Sequence, residues 1–411
     1  MIGRILAANK KHSSVYPNLY YLIKDLFGIE IEFFKIFQMF GIFMAISFLV
    51  GYWVMSQELK RMEAEGKIFP VRRKFWVNKA PETGEYIMNF VFYFLAGFKV
   101  VEAIFNFHDL TSNPQEFILS ARGNFLGGLI LGALGLYLVY RDTQNVKGKT
   151  AYQEERDVHP YQIMGNITFI AAITGLLGAK LFHIFENWSY SSAHPIDAIL
   201  SFSGLTYYGG LICGGLGVLW YTRKFNIHWR YAMDMSGAAM MLAYGMGRVG
   251  CHVSGDGDWG IVNLNPKPSS LSWLPDWAWA YNYPNNVNQV CNPYVDGEKA
   301  QIACDFATTP YLFDPVYPTP LYETLMAFAL FAIIWVVRKK LPAPGMIFSL
   351  YLIFAGIERF IIEQIRVNNI IDFLGMHATQ AEFISVGMII LGLGLAFYFM
   401  RNPKVVMPSG T

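Results

Sequence analysis

Nine stretches of this 411-residue chain are long and apolar, and they limit the fold more than anything else in it. They fall near residues 36–56, 86–106, 122–140, 161–182, 204–222, 231–251, 319–337, 344–365 and 381–400. A helix needs about 20 largely apolar residues to cross a bilayer, and each stretch reaches that length. The expectation is an all-α polytopic membrane protein with about nine transmembrane helices. Hydrophobic residues make up 54% of the chain and charged ones 15%, with a mean hydropathy of +0.31. That balance exceeds ordinary soluble composition. The net charge of +2 argues against a nucleic-acid partner. Cys213, Cys251, Cys291 and Cys304 form no tight metal-type cluster, so no metal or cofactor is expected. The opening "MIGRILAANKKHSSVYP" has no long apolar core or small-residue cleavage site, so no removable signal peptide is expected.

Basic residues set the orientation, because loops rich in lysine and arginine stay cytoplasmic. "KRMEAEGKIFPVRRKFWVNK" after the first span holds seven. Arg141, Lys147, Lys149 and Arg156 follow the third span, Arg223, Lys224 and Arg230 the fifth, and "RKK" (338–340) the seventh. Loops 107–121 and 183–203 hold none, and 254–318 only Lys267 and Lys299. The N-terminus is therefore expected outside and the C-terminus in the cytoplasm, although Arg4, Lys10, Lys11 and Lys24 run against the pattern. Residues 1–33 form an outer segment, in which "VYPNLYYLIKDLF" suggests a helix in the interface or a lead-in to the first span. Residues 34–253 hold spans 1–6, 254–318 an extracytoplasmic cap, and 319–411 spans 7–9 with a cytoplasmic tail. Cys291 and Cys304 both lie in the cap, on the oxidising side, where a disulfide is expected.

An internal repeat runs through the first half. "LAGFKVVEAIF" (95–105) matches "LLGAKLFHIF" (176–185), and "FLGGLILGALGLYLVYR" (125–141) matches "YYGGLICGGLGVLWYTR" (207–223). The offset of 81 or 82 residues makes spans 2–3 (86–141) and 4–5 (161–223) two copies of one hairpin. Both copies start on the cytoplasmic side, unlike the inverted repeats of transporters. Their glycine runs suit close helix packing in lipid. Tyr207-Tyr208 precedes Gly209-Gly210 in the second copy, where the first has Phe125-Leu126. The second copy is read as active and the first as scaffold, with Lys99, Glu102 and Arg122.

Ionisable residues inside spans are functional candidates. At 1.5 Å per residue, Arg248 lies about 26 Å from the cytoplasmic start of its span, and Arg359 about 22 Å from Pro344. Tyr322 and Glu323 open span 7 at the outer surface, and Tyr208, Lys180 and His183 lie near that side. Asp234, near the cytoplasmic start of span 6, is the exception and suits a cap or anchor. Arg359, Glu363 and Arg366 share one helix face, and so do Arg248 and His252 if the helix runs that far. Two arginines with carboxylates at the outer leaflet suit an anionic headgroup, since arginine grips phosphate with a planar fork of donors. "GDGDWG" (255–260) adds backbone N–H groups, and Asp256 and Asp258 add carboxylates that can hold hydroxyls or act as a base. Helix-tying ion pairs are the competing reading.

These residues resemble the bacterial prolipoprotein diacylglyceryl transferases. That family's signature, Gly-Arg-x-Gly-Asn-Phe-x-Asn-Gly-Glu followed by Trp-Gly, is similar to "GRVGCHVSGDGDWG". The matches fall at Gly247, Arg248, Gly250, Gly255, Trp259 and Gly260. Its His-Pro-Ser-Gln-Leu-Tyr-Glu is similar to "YPTPLYE" (317–323), its late Arg-x-x-x-Glu to "RFIIE" (359–363), and Gly-Gly-Leu-Ile recurs at 209–212. The resemblance covers roughly 160–400 plus the first span, and leaves the hairpin at 86–140 without a counterpart. The family's two histidines stand here as Tyr208 and Tyr317, its signature asparagine as Cys251 and its glutamate as Asp256, with one residue inserted before Trp259. A tyrosine four residues before the late arginine is Ala355 here.

The resemblance implies transfer of the diacylglyceryl group of phosphatidylglycerol to the lipobox cysteine of a preprolipoprotein, in the bacterial inner membrane. It implies that Arg248 and Arg359 take the phosphate, that Glu363 orients Arg359, and that Asp256 or Asp258 meets the glycerol hydroxyls or serves as base. It implies substrate-side places for Gly209, Gly210, Gly260, Tyr317, Tyr322 and Glu323. With the histidines replaced, His252, Asp256 and Tyr208 remain candidates for taking the thiol proton. The other class of function is a non-catalytic subunit of an envelope complex that binds phospholipid or signal peptide; transport is a third.

Overall fold

The computed structural model describes residues 15–112, 117–118, 120–195, 198, 206–292, 294–295, 298–299, 308, 310–366, 370–373 and 376–405. The elements run α1 (Leu19–Phe27), α2 (Met39–Ala64), β1 (Val71–Val77), α3 (Thr83–Phe105), α4 (Phe107–Ser112), α5 (Phe125–Val146), β2 (Tyr152–Val158), α6 (Met164–Glu186), α7 (Trp188–Ala193), α8 (Tyr207–Arg223) and α9 (Trp229–Ser254). Then follow β3 (Tyr294–Val295), β4 (Glu298–Lys299), α10 (Thr319–Val337), α11 (Met346–Glu363), β5 (Ile370–Phe373), β6 (Met376–Thr379) and α12 (Gln380–Arg401).

The protein is an all-α polytopic membrane protein. Each of the nine apolar stretches carries one long helix among the described residues. Among the described residues, six helices are long and apolar enough to cross a membrane: α2, α3, α5, the stretch Pro160–Glu186 containing α6, α10 and α12. The count is below nine for physical reasons. α8 has 17 residues, α9 carries Arg230, Asp234 and Arg248, and α11 carries Glu358, Arg359 and Glu363. Among the described residues, three two-stranded sheets supplement the helices.

The chain divides into two compact units. The smaller, Asn18–Gln38 with Arg72–Asp157, holds α1, α3, α4 and α5. The helix expected in "VYPNLYYLIKDLF" is α1, closed by Gly28 in the left-handed region at φ 68°. Gly97 and Gly127 meet at the α3–α5 crossing, where a Cβ on Gly97 would lie 2.3 Å from Gly127 O. Lys99 donates to the carbonyls of Phe117 and Arg122, 3.0 and 2.7 Å away, so it fastens the connection between the two helices.

The larger unit draws on Met1–Pro17, Met39–Val71 and Val158–Thr411. Here α6 and α8 repeat the α3–α5 hairpin. A Cβ on Gly178 would lie 2.5 Å from Gly209 O, and Thr206 N donates to Ala179 O as Asn124 N donates to Phe98 O. The repeat is longer than its sequence suggests, since β2, α6 and α7 follow β1, α3 and α4 at the same offset of 81 residues. β1 and β2 pair with each other, with Arg72 against Asp157 and Lys74 against Glu155.

α9 is the centre of the larger unit and packs on α2, α10 and α11. Its small and flexible residues Ala238, Ala239 and Met241 pack with Val54, Ala327, Ile334, Ile347, Tyr351 and Leu352. Close approach needs small residues: a Cβ on Gly237 would lie 2.9 Å from the backbone of Phe348. Asp234, 4% exposed, accepts from the backbone N–H groups of Gly345, Ile347 and Phe348 at 2.7, 2.9 and 3.2 Å. It therefore caps α11 from a neighbouring helix, satisfying donors that a helix start leaves open. Asp234→Ala should cost about 2 kcal/mol, read as a fall in the thermal unfolding midpoint. Specific activity of the folded fraction should hold, since Asp234 lies about 21 Å along α9 from Arg248.

The described residues that follow α9 pack in a cluster of Val15, Trp259, Tyr281, Tyr283, Val290, Leu312 and Val316, referred to below as the cap. Cys291 is disulfide-bonded, whereas Cys213 and Cys251 are free thiols. Cys304, and Arg4, Lys10 and Lys11 of the N-terminal segment, lie outside the described residues.

Candidate functional site

Four segments of the larger unit meet where α9 ends. α9 runs to Ser254 and stops because Gly255 adopts the left-handed region at φ 62°, with its N–H bonded to Cys251 O. Gly257, at φ 89°, turns the chain again and delivers Asp258 back toward Arg248. Gly260 then sits against the last turn of α11 and the start of α10. Its N–H donates to Tyr317 O at 2.9 Å, and Ile261 N–H to Ile365 O at 2.9 Å. A Cβ on Gly260 would lie 2.5 Å from Ile365 O and 2.8 Å from Thr319 Cγ2, so only glycine fits. This contact holds the α9–cap turn, the start of α10 and the end of α11 together.

Charge explains the point of the junction. Glu323, fully buried, is the hub: Arg248 Nη2 meets its Oε2, while Arg366 Nη1 and Arg359 Nη1 reach Oε1 at 3.3 and 3.7 Å. Asp258 is a second bridge, with Arg248 on Oδ2 and Arg366 Nη2 on Oδ1 at 2.9 Å. Glu363 pairs with Arg359 at 3.1 Å and accepts from Thr379 Oγ1 at 2.7 Å, which ties in the start of α12. Thr319 Oγ1 donates to Asp258 O at 2.8 Å and fixes the turn that carries it. Three guanidiniums thus share three carboxylates. Arg248 Nε and Arg366 Nε are buried yet meet no hydrogen-bond acceptor among the described residues. Donors left unspent in such a place are costly unless something accepts from them.

Outside the spans, burial lifts the Asp256 carboxyl above its ordinary range. The neighbouring Asp258 charge pushes the same way, against bonds from the Cys251 thiol and Asp258 N–H. Burial pulls Arg366 down, but Asp258 and Glu323 outweigh it and hold the guanidinium above its usual range. Cys251, Asp256 and Asp258 bring donor atoms within 4.8 Å of one another. Both Asp258 oxygens are already bonded to arginine, so this cluster is compensated by guanidinium charge.

The expected site residues divide by what they touch. Arg248, Asp258, Glu323, Arg359 and Glu363 join one network, and Tyr208 lies within electrostatic reach of Arg359 and Glu363. Asp256 stands beside that network, accepting from Asp258 N at 3.2 Å, with Asn288 bonded to its backbone oxygen. His252 turns elsewhere despite its i, i+4 spacing from Arg248. Its Nδ1 lies 3.2 Å from Tyr283 OH, and its ring packs among Trp277, Tyr281 and Tyr283. Tyr322 OH donates to Ala278 O at 2.8 Å, and the Tyr317 ring meets Trp279 edge-on, so both hold the cap. Gly209 and Gly210 pack on α6: a Cβ would lie 2.5 Å from Gly178 O and 3.3 Å from Gly175 O, respectively.

Sequence reasoning placed Arg366 on the right face without giving it a partner, and it overlooked Glu358, Tyr244, Thr319 and Thr379. The signal available for Glu358 was a second carboxyl in an otherwise apolar helix.

The family model for prolipoprotein diacylglyceryl transferase matches residues 146–398. That range takes in the junction and leaves out the first hairpin copy. The phosphatidylglycerol–prolipoprotein diacylglyceryl transferase of Dehalococcoides mccartyi is 28% identical over 252 residues, 59% of this chain and 79% of that protein. The enzyme of the same name from Lactococcus lactis is 30% identical over 227 residues, covering 54% and 73%. That of Burkholderia orbicola is 27% identical over 287 residues, covering 68% and 87%.

Proposed function

The chain belongs to the prolipoprotein diacylglyceryl transferase family, and from that premise we propose that it transfers diacylglyceryl from phosphatidylglycerol to the lipobox cysteine thiol of preprolipoproteins. The observation that carries this reading is the junction of Arg248, Arg359 and Arg366 around Glu323 and Asp258, with two buried guanidinium N–H groups unspent.

An anionic phosphodiester is the ligand such a junction favours, because a guanidinium stays charged when desolvated and offers paired donors. Arg248 and Arg359 take the phosphate. Glu363 and Glu323 fix the direction of Arg359, Asp258 fixes Arg248 and Arg366, and Tyr208 lines the same side. The thiol sulfur gives up its proton and attacks the glycerol carbon, the S–C bond forms, the C–O bond to phosphate breaks, and, in balance, one proton ends on the departing phosphate. Glycerol phosphate leaves with the bonding pair, its new charge met by donors already in position. Asp256 stands nearest for the glycerol hydroxyls. His252 belongs to the cap's packing in this reading and takes no part in the chemistry.

The protein sits in the bacterial cytoplasmic membrane with its N-terminus outside and its C-terminus inside, and the junction faces the outer leaflet. The loop charges support this orientation. The first hairpin copy is scaffold, since its cation Lys99 is spent on loop carbonyls.

Incubation of the purified protein with phosphatidylglycerol labelled in its acyl chains and a lipobox peptide should place label on the peptide cysteine. Lys99→Ala should transfer at the wild-type rate. Absence of label beside an active relative would leave a phospholipid-binding subunit as the function.

A further inference from the structure

Glu358 is the one carboxyl of the junction to which this reaction gives no task. It lies in α11 beside Arg359 and is 3% exposed, yet it forms no ion pair among the described residues. Asp258, Glu323 and Glu363 between them meet all three arginines. The described partner of Glu358 is a tyrosine: Tyr244 OH donates to its Oε1 at 3.4 Å. Tyr244 lies one helical turn before Arg248, with the guanidinium carbon 6.0 Å from its ring centre. Neither residue belongs to the motifs that identify the family.

A buried carboxyl without a cation keeps its proton, because removing it would leave an uncompensated charge away from water. The groups acting on Glu358 are Glu323 of α10, Tyr244 and Arg248 of α9, and Arg359 of its own helix. On α12, Glu382 is taken up by Thr379 N and Gln364.

We propose that Glu358 stores the proton given to the departing phosphate and passes it through the Tyr244 hydroxyl. This rests on the transfer reaction proposed above. As the C–O bond breaks, its electron pair goes to the phosphate oxygen. Tyr244 gives its proton to that phosphate and takes the one from Glu358. Glycerol phosphate then leaves as a monoanion, and the proton lost by the attacking thiol restores the Glu358 carboxyl. Tyr244 meets the phosphate, and Glu358 acts through it.

Glu358→Gln and Tyr244→Phe, made in the full chain and reconstituted with phosphatidylglycerol, should each lower kcat about 100-fold, the scale of acid catalysis. In Glu358→Gln, KM for phosphatidylglycerol should stay within about twofold, because that change leaves every phosphate contact in place. Wild-type kcat should fall on the alkaline side as the stored proton is lost, and Glu358→Gln should lose that limb. Infrared spectroscopy of the resting protein should show a protonated-carboxyl band that disappears in Glu358→Gln. A kcat near wild type in either variant, an unchanged alkaline limb, or no acid band at neutral pH each overturns the proposal. Should the wild type itself transfer nothing, the reaction assigned above fails. The infrared band would then still report the stored proton, while its delivery to phosphate would be overturned.

Discussion

Arg248→Ala is expected to reduce transfer by at least about 1,000-fold, the scale of losing a preorganised donor at developing charge. The same change should destabilise the protein by about 3–5 kcal/mol, because it leaves the buried Glu323 carboxylate short of a cation. Glu323 is fully buried and would retain only Arg359 and Arg366 at 3.7 and 3.3 Å. Of the two arginines on Asp258, Arg366 would remain. Arg248→Lys separates the two losses: a point charge restores part of the stability but not the planar fork, so transfer should stay low. The measurements are the thermal unfolding midpoint in detergent and the rate of label transfer. Wild-type transfer by Arg248→Ala would place the phosphate elsewhere and make the junction a set of structural ion pairs.

Glu323→Gln should produce the larger structural effect, because Glu323 pairs with all three arginines. Its removal leaves guanidiniums crowded around Asp258 and Glu363, with desolvation costs no longer offset; a loss near or above about 3–5 kcal/mol is expected. Transfer should collapse with it, since Arg248 and Arg359 lose the anchor that fixes their directions. Pairing Arg248→Met with Glu323→Leu provides the decisive comparison. Apolar replacement of both partners of a buried pair is often neutral or stabilising, so part of the unfolding midpoint should return while transfer remains absent. Recovery of both would mean that the junction serves packing alone.

The expected helices and their order match the structure closely. Apolar stretches near 20 residues leave few alternatives in a membrane, and all nine carry long helices. Their ends were less legible. α2 continues to Ala64 because Glu58 and Arg61 pair with each other and Glu58 with Arg338, 2.7 Å in each case, which keeps charged residues helical past the apolar stretch. The repeat was visible through its glycines. Its strands were hidden because "VRRKFWV" and "YQEERDV" share no pattern of residue type, being complementary rather than alike.

The site was legible in part for a related reason. Arg248, Arg359, Glu363 and Glu323 stood out because charge in an apolar helix is conspicuous. Their partners could not be read from spacing. Asp258 meets Arg366 across 108 positions, and Glu323 meets Arg366 across 43. Even local spacing misled at His252. The helix does reach it, but the cap's aromatic rings claim its side chain.

The sequence alone settled that this chain spans a membrane, that it contains a duplicated hairpin, and that cations and carboxylates concentrate in its later helices. Hydrophobic length, period and repetition are properties of a linear string, so they needed no coordinates. Tertiary structure decided which carboxylate meets which arginine, gave Asp234 a helix start to cap, and left Glu358 with a tyrosine for its partner. Those pairings depend on close approach between distant segments. Gly260 marks that difference: the string shows a glycine after Trp259, and the fold shows Ile365 O where a side chain would have to be.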